Sequence, residues 1–431
     1  MTQSLNRLAA LGGIALALWL VATAQAVAAI AGITGPNFNF TAKADHISTA
    51  DGNNVLVWGY ANGTTMQYPG ATLIVNQGDS VTITLTNNLP VPTSMVFPGQ
   101  SGVSTNCGSP GTAAGLMTCE ALHAGTVTYT FTAVQPGTYL YHSGTQPSLQ
   151  VEMGLVGALI VRPATANQAY GHAGSAYDRE YLLLITEMDP DVHNEVARGN
   201  LSPDMTDYFA VYWFVNGRNG MDTLLGDNVA TLPHQPYGAM VLAHPGEKVL
   251  ARLISAGRDL HPFHFHGNNV TVIARDGRLL ESQPGVSGPD LAWSDFTIGA
   301  VPGATYDAIF EWTGKNLGWD IYGTTAINPH TCTPDTNGFD TTTREWCADH
   351  DKPIPVTLPS IQEVTVGMSY SGSPYLGMTG ALPPGQGGYN PFAGYFYMWH
   401  SHTEKELTNN DIFPGGLMTM FIVVPHAFPL P

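Results

Sequence analysis

Apolar residues along this chain recur in short runs separated by glycine, proline and asparagine. Val55–Tyr60 and Ala71–Val75 lead into a turn at Gln77–Ser80, and Val81-Thr-Ile-Thr-Leu-Thr86 then alternates apolar with polar. That period of two predicts a half-buried strand. Thr126–Phe131, Gly137–Tyr141 and Gly154–Val161 continue the series. A second series opens at Tyr181–Ile185. It runs through Tyr212–Val215, Val241–Ala243, Val249–Ile254, Val270–Ile273 and Tyr306–Phe310, and closes with Tyr395–Trp399 and Met418–Val424. Closely spaced strands with turn residues between them predict an all-β protein of sandwich or barrel type. No amphipathic helix of ordinary length is predicted.

The two series are divided by residues 164–180, small and polar, which read as a linker. The predicted domains are therefore 27–163 and 181–431. Within the second, residues from about 315 to 394 are rich in Gly, Pro and Thr and read as a long loop insertion. The first 26 residues carry Arg7, an apolar run from Leu8 to Val21 and a small-residue cleavage site at Ala24-Gln25-Ala26. This pattern predicts a signal peptide and an exported protein, periplasmic, surface-attached or secreted, with no integral membrane segment after cleavage.

The charge balance removes some partners. A formal net charge of -18 repels phosphates and argues against nucleic acid or an anionic membrane surface. The cysteines are Cys107, Cys119, Cys332 and Cys347. In an oxidising compartment the sequence-local pairs are the simplest disulfides, although three pairings are open on sequence grounds.

Histidines carry the chemistry. His261-Pro-Phe-His264-Phe-His266 and His400-Ser-His402 each stand beside strongly apolar residues. In a strand, residues two apart share a face at ~7 Å, so two adjacent H-x-H strands bring together four imidazoles, a donor set suited to copper. A lone buried histidine is ordinarily a hydrogen-bonded core residue, but burying several imidazoles with neither metal nor partners is costly. His261 lies upstream, at the strand's entry, where it serves a neighbouring site. Met418 and Met420 alternate as core residues do, and are read as packing.

These clusters resemble the multicopper oxidases. His261-x-x-His264-x-His266 matches that family's H-x-x-H-x-H motif, His400-Ser-His402 its H-C-H motif, and Tyr141-His142-Ser-Gly144 its Y-H-S-H motif. Supporting matches are Phe214-Val-Asn-Gly217 and Val301-Pro-Gly303 ahead of Tyr306-Asp307. The resemblance implies two cupredoxin-like Greek-key β-sandwich domains and a homo-oligomer, a trimer, with copper between subunits. Departures from the pattern matter as much. Val96-Phe97-Pro98-Gly99 stands where both histidines of the first motif belong. Gly144 replaces a histidine, Ser401 replaces the cysteine, and Glu406 falls at the later blue-copper histidine.

A blue centre needs a thiolate, which serine cannot supply. The resemblance implies eight histidines for a three-copper cluster, of which His142, His264, His266, His400 and His402 remain. One or two copper ions are therefore expected rather than a full set of four, with Glu404 or Glu406 as candidate additional ligands. The expected function is an exported copper-binding protein with copper-dependent oxidoreductase chemistry at a non-blue site, acting on a small molecule or metal ion. Two alternatives stay open: a non-catalytic copper-holding or assembly protein of the cell envelope, and zinc as a structural occupant of the four-histidine site.

Overall fold

The computed structural model describes residues 30–107, 118–355, 365–366, 369–370, 375–378, 380–381, 389–390 and 393–430. The signal-peptide segment and much of the second half of the insertion lie outside these described residues.

The first strand series builds two facing sheets. One holds β1 (Ile33–Thr34), β4 (Gly70–Asn76), β8 (Gly137–His142) and β9 (Val156–Arg162) in the order β1-β4-β9-β8. The other holds β2 (Asn37–Ser48), β3 (Asn54–Asn62), β5 (Ser80–Asn87), β6 (Ser104–Thr105) and β7 (Thr126–Thr132) in the order β3-β2-β5-β7-β6. The alternation of β5 and β7 is what seals this sandwich. Val81, Ile83, Leu85, Val127, Tyr129 and Phe131 point inward and are buried, while the intervening threonines are not. The buried phenols do not go unsatisfied: Tyr60 donates to the Ser94 carbonyl at 2.8 Å and Tyr141 to that of Ala71 at 2.7 Å. The Cys107–Cys119 disulfide ties the loop ahead of β7.

The second series builds a larger sandwich. Its first sheet contains β10 (Arg179–Met188), β11 (Tyr212–Val215), β13 (Lys248–Ser255), β15 (Val270–Arg275), β16 (Arg278–Leu279), β17 (Trp293–Asp295) and β19 (Thr305–Glu311), with β10 parallel to β13 and β13 antiparallel to β19. The second sheet has the order β12-β25-β24-β14-β18, from β12 (Val241–Ala243), β14 (His261–Phe265), β18 (Thr297–Ala300), β24 (Tyr395–Ser401) and β25 (Met418–Val423). Two-residue pairs β20 to β23 lie within the insertion, at 365–366, 369–370, 380–381 and 389–390. Met418 and Met420 are buried among Leu242, Phe396 and Ile422, so they pack rather than ligate.

The segment read as a linker is packed. Ala169 and Tyr177 sit in a small apolar cluster with Leu250 and Ile273, and Tyr170 donates to the Asp307 carboxylate. Pattern reading missed several elements, among them the long strand β2, β18 and a helix at Pro190–Ala197, where the N–H of Asp191 bonds the Asp189 side chain at 2.9 Å. Its Val192 and Val196 face the core of the first sandwich. The helix is only two turns long, too short to show a periodic stripe.

The two sandwiches share a continuous apolar seam that joins Tyr68, Leu140 and Ile160 to Leu184, Phe214 and Ile254. A buried charge network crosses the same seam. Arg252 of β13 is 3.0 Å from Glu180 and 3.7 Å from Asp307, and donates to Thr138 of β8 at 2.9 Å. Thr138 in turn donates to Asp307 at 2.6 Å. With Arg252 fully buried, its charge is tolerable only because carboxylates face it.

Candidate metal centre

Strand parity builds the site. On β14, Phe263 and Phe265 are buried in the core, so His264 and His266 emerge on the opposite face. On β24, Trp399 fills the core and His400 and His402 emerge likewise. The antiparallel register sets His264 directly across from His400. Ring centroids lie 4.8 Å apart for His264–His266, 4.9 Å for His264–His402, 5.0 Å for His266–His400 and 5.6 Å for His264–His400. The Nε2 atoms of His266 and His400 are 3.1 Å apart. His400 is buried, His264 half-buried, and His266 and His402 exposed, so the cluster opens to the surface.

Ring orientation is fixed from behind. The Nδ1 of His400 donates to the Ser401 carbonyl at 2.6 Å, and the Nδ1 of His264 lies 2.6 Å from the Thr297 hydroxyl on β18. A carbonyl only accepts, so Nδ1 of His400 carries the proton and Nε2 presents its lone pair forward. Burial, and then the neighbouring rings against the Ser401 bond, pushes the His400 pKa down to about 4. The pKa values of His264 and His266 are lowered too, by burial and by nearby imidazoles. Neutral imidazoles with their second nitrogens held are the form that binds a metal.

His261 belongs to a different environment. It shares parity with Phe263 and Phe265 and so points inward, fully buried. Its Nε2 is 3.0 Å from a Glu187 oxygen and its Nδ1 is 2.9 Å from a Glu406 oxygen. Burial opposes its charge, but the bonds to Glu187 and Glu406 outweigh it and raise the pKa to about 9. At neutral pH the ring is therefore an imidazolium donating from both nitrogens, with no lone pair for a metal. Glu406 is buried and committed to this contact, whereas Glu404 stands exposed in the turn that follows. The Ser401 hydroxyl, at the place of the H-C-H motif's cysteine, accepts the N–H of Thr403 at 3.1 Å.

His142 lies at the end of β8 in the first sandwich. Its Nδ1 donates to the Ser143 carbonyl at 2.9 Å, the same device that holds His400, and burial lowers its pKa. Val96 pairs with it through the backbone at 2.8 and 3.2 Å, and Phe97, Pro98 and Gly144 line the adjoining cleft. The segment lacking the first motif's histidines thus stands beside His142. Both disulfides are the sequence-local pairs, Cys107–Cys119 and Cys332–Cys347. Sequence reasoning missed Glu187 and Thr297, which come from strands distant in the chain. The parity of His261 with two core phenylalanines was the available signal that it faces away from its neighbours.

An all-β chain of paired sandwiches with this topology is of the cupredoxin class. Residues 41–166 match the family model described as multicopper oxidase. L-ascorbate oxidase of Cucurbita pepo var. melopepo is 36% identical over 128 residues, 29% of this chain and 21% of that protein. Copper resistance protein A of Escherichia coli is 25% identical over 277 residues, 57% of this chain and 42% of that protein. The chain thus spans well under half the length of either relative. Among solved structures, a blue copper oxidase from Nitrosomonas europaea aligns with a TM-score of 0.56 at 18% identity, covering 89% of this chain and 85% of that one. At that identity the likeness speaks for the fold alone. Over residues 41–166 the chain is thus similar to the multicopper oxidases, and the remainder shares their fold.

Proposed function

We propose that this chain is an exported copper-binding protein of two cupredoxin domains, 27–163 and 181–431, whose chemistry resides at His264, His266, His400 and His402. The observation that carries the reading is the 3.1 Å approach of two imidazole Nε2 atoms, one of them aimed by a carbonyl behind its ring. Uncharged imidazoles in this density fit a soft-to-borderline cation such as copper. Copper bound there would supply one-electron redox chemistry and an open coordination position for direct contact with a substrate.

The chain's own residues have separate tasks. Thr297 and the Ser401 carbonyl hold two rings in place, and Trp399 and Phe265 brace the strands from the core side. His261, as an imidazolium between Glu187 and Glu406, takes no part in ligation, so electron entry through a blue centre is absent from the proposal. His142 is assigned to the same chemistry across a domain or subunit boundary. The exposed ring of Phe296, edge-on to His264 at 5.7 Å, supports a face that a second copy covers.

The alternative of a copper holder without turnover rests on the same cluster. Metal content per chain with electron spin resonance, run beside oxygen consumption, tests both readings. Copper that is bound with a non-blue signal and lost in His264→Gln/His400→Gln supports the site, and turnover separates enzyme from holder. A wild-type protein that takes up no copper overturns the proposal.

A further inference from the structure

A second set of metal donors lies in the insertion, where sequence patterning singled out only the cysteines. Asp320, His330, Glu345 and His350 each direct one ligand-type atom to a common point, all within 4.8 Å of one another. Asp320 is fully buried and Glu345 is 1% exposed. His330 Nε2 stands 3.3 Å from an Asp320 oxygen and 3.3 Å from a Glu345 oxygen. His350 Nδ1 is 3.4 Å from the same Asp320 oxygen and 2.8 Å from the other Glu345 oxygen.

Hydrogen bonding alone does not account for this cluster. The Nδ1 of His330 donates to the Asn328 carbonyl at 2.7 Å, so in the neutral ring Nε2 offers a lone pair towards two carboxylates. Both that Nε2 and Glu345 Oε2 are buried with no hydrogen-bond partner. His350 Nδ1 and Glu345 Oε1 are at hydrogen-bond length, but the two His330 contacts, at 3.3 Å, are longer than the about 2.8 Å of a charge-assisted N–H···O bond. By contrast, the edge of a tetrahedron with metal–ligand bonds of about 2.05 Å is about 3.3 Å, from the usual zinc–nitrogen and zinc–oxygen lengths. Two buried carboxylates facing each other are repulsive until a cation lies between them.

The outer contacts are also of the kind that orients ligands. Asp320 accepts the backbone N–H of Tyr322 through one oxygen and of Asp351 through the other, both at 2.8 Å. We infer that Asp320, His330, Glu345 and His350 form a closed, tetrahedral site for a divalent ion of the zinc type, separate from the four-histidine face. Its role is structural. Ile321 and Tyr322, next to Asp320, are embedded in the core of the second sandwich. Glu345 lies on the loop closed by Cys332–Cys347 and His330 and His350 flank its two ends, so the ion fastens that disulfide loop to the core.

The test is a full metal inventory of the full-length protein after equilibration with zinc and with copper, joined to X-ray absorption at the zinc edge. Wild type is expected to hold one zinc per chain with four nitrogen or oxygen neighbours at about 2.0 Å and no sulfur. His330→Gln/Glu345→Gln is expected to lose that zinc while keeping its copper, and His264→Gln/His400→Gln to do the reverse. Should the insertion variant fail to fold, the wild-type spectrum decides unaided. Wild type without zinc, a zinc edge dominated by more than two imidazoles, or a folded insertion variant with undiminished zinc would each overturn the inference.

Discussion

Replacing His261 by glutamine removes a buried positive charge from between Glu187 and Glu406. The ring's pKa rises from 6.5 in the unfolded chain to about 9 in the fold. At 1.36 kcal/mol per tenfold, that difference corresponds to about 3 kcal/mol of stability. The sign follows from a raised pKa: the contribution is complete below pH 6.5 and is lost as pH rises through about 9. Glutamine does not titrate, so the wild-type advantage over His261→Gln should be largest near pH 6. It should shrink by about 3 kcal/mol by pH 10. Denaturant midpoints of the two proteins, measured in parallel from pH 6 to 10, read this difference directly, and ionisations common to both cancel. A pH-independent gap between the two would refute the idea that His261 is held as an imidazolium. So would a gap that widens with rising pH.

Thr297→Val removes the hydroxyl behind His264, and copper affinity by competition titration is expected to fall about 10- to 100-fold with the fold intact. Ser401→Cys is expected to give no intense absorption near roughly 600 nm on copper addition, because His261 stays protonated between two carboxylates; a blue product would contradict that. Arg252→Ala leaves Asp307 buried without its cation and Glu180 with Arg162 alone, and should cost about 3–5 kcal/mol by denaturant unfolding, whereas Arg252→Met/Asp307→Asn should recover much of it. Recovery that fails would place the strength of the seam in its apolar contacts instead.

Period-two patterning carried most of the architecture. It exposed β5 and β7, and it placed the H-x-H pairs on one face, because alternation is a local property that any strand imposes. The same arithmetic applied to His261 would have turned it inward, but the motif that groups it with His264 and His266 hides the odd spacing. Glu187 was not legible: it reaches His261 from another sheet, and nothing local in Leu184–Met188 marks its carboxylate. Asp320, His330, Glu345 and His350 escaped for a related reason. They sit on irregular backbone, where spacing along the chain bears no fixed relation to spacing in space.

β14 has a consequence for the order of events after synthesis. Its inward side is complete with the chain's own charges, since His261 is neutralised by glutamates that arrive with the polypeptide. Its outward side presents imidazoles to solvent. The sheet's inward face is therefore closed by groups of the chain itself, and on the proposed function the strand would fold before any metal reaches its outward face.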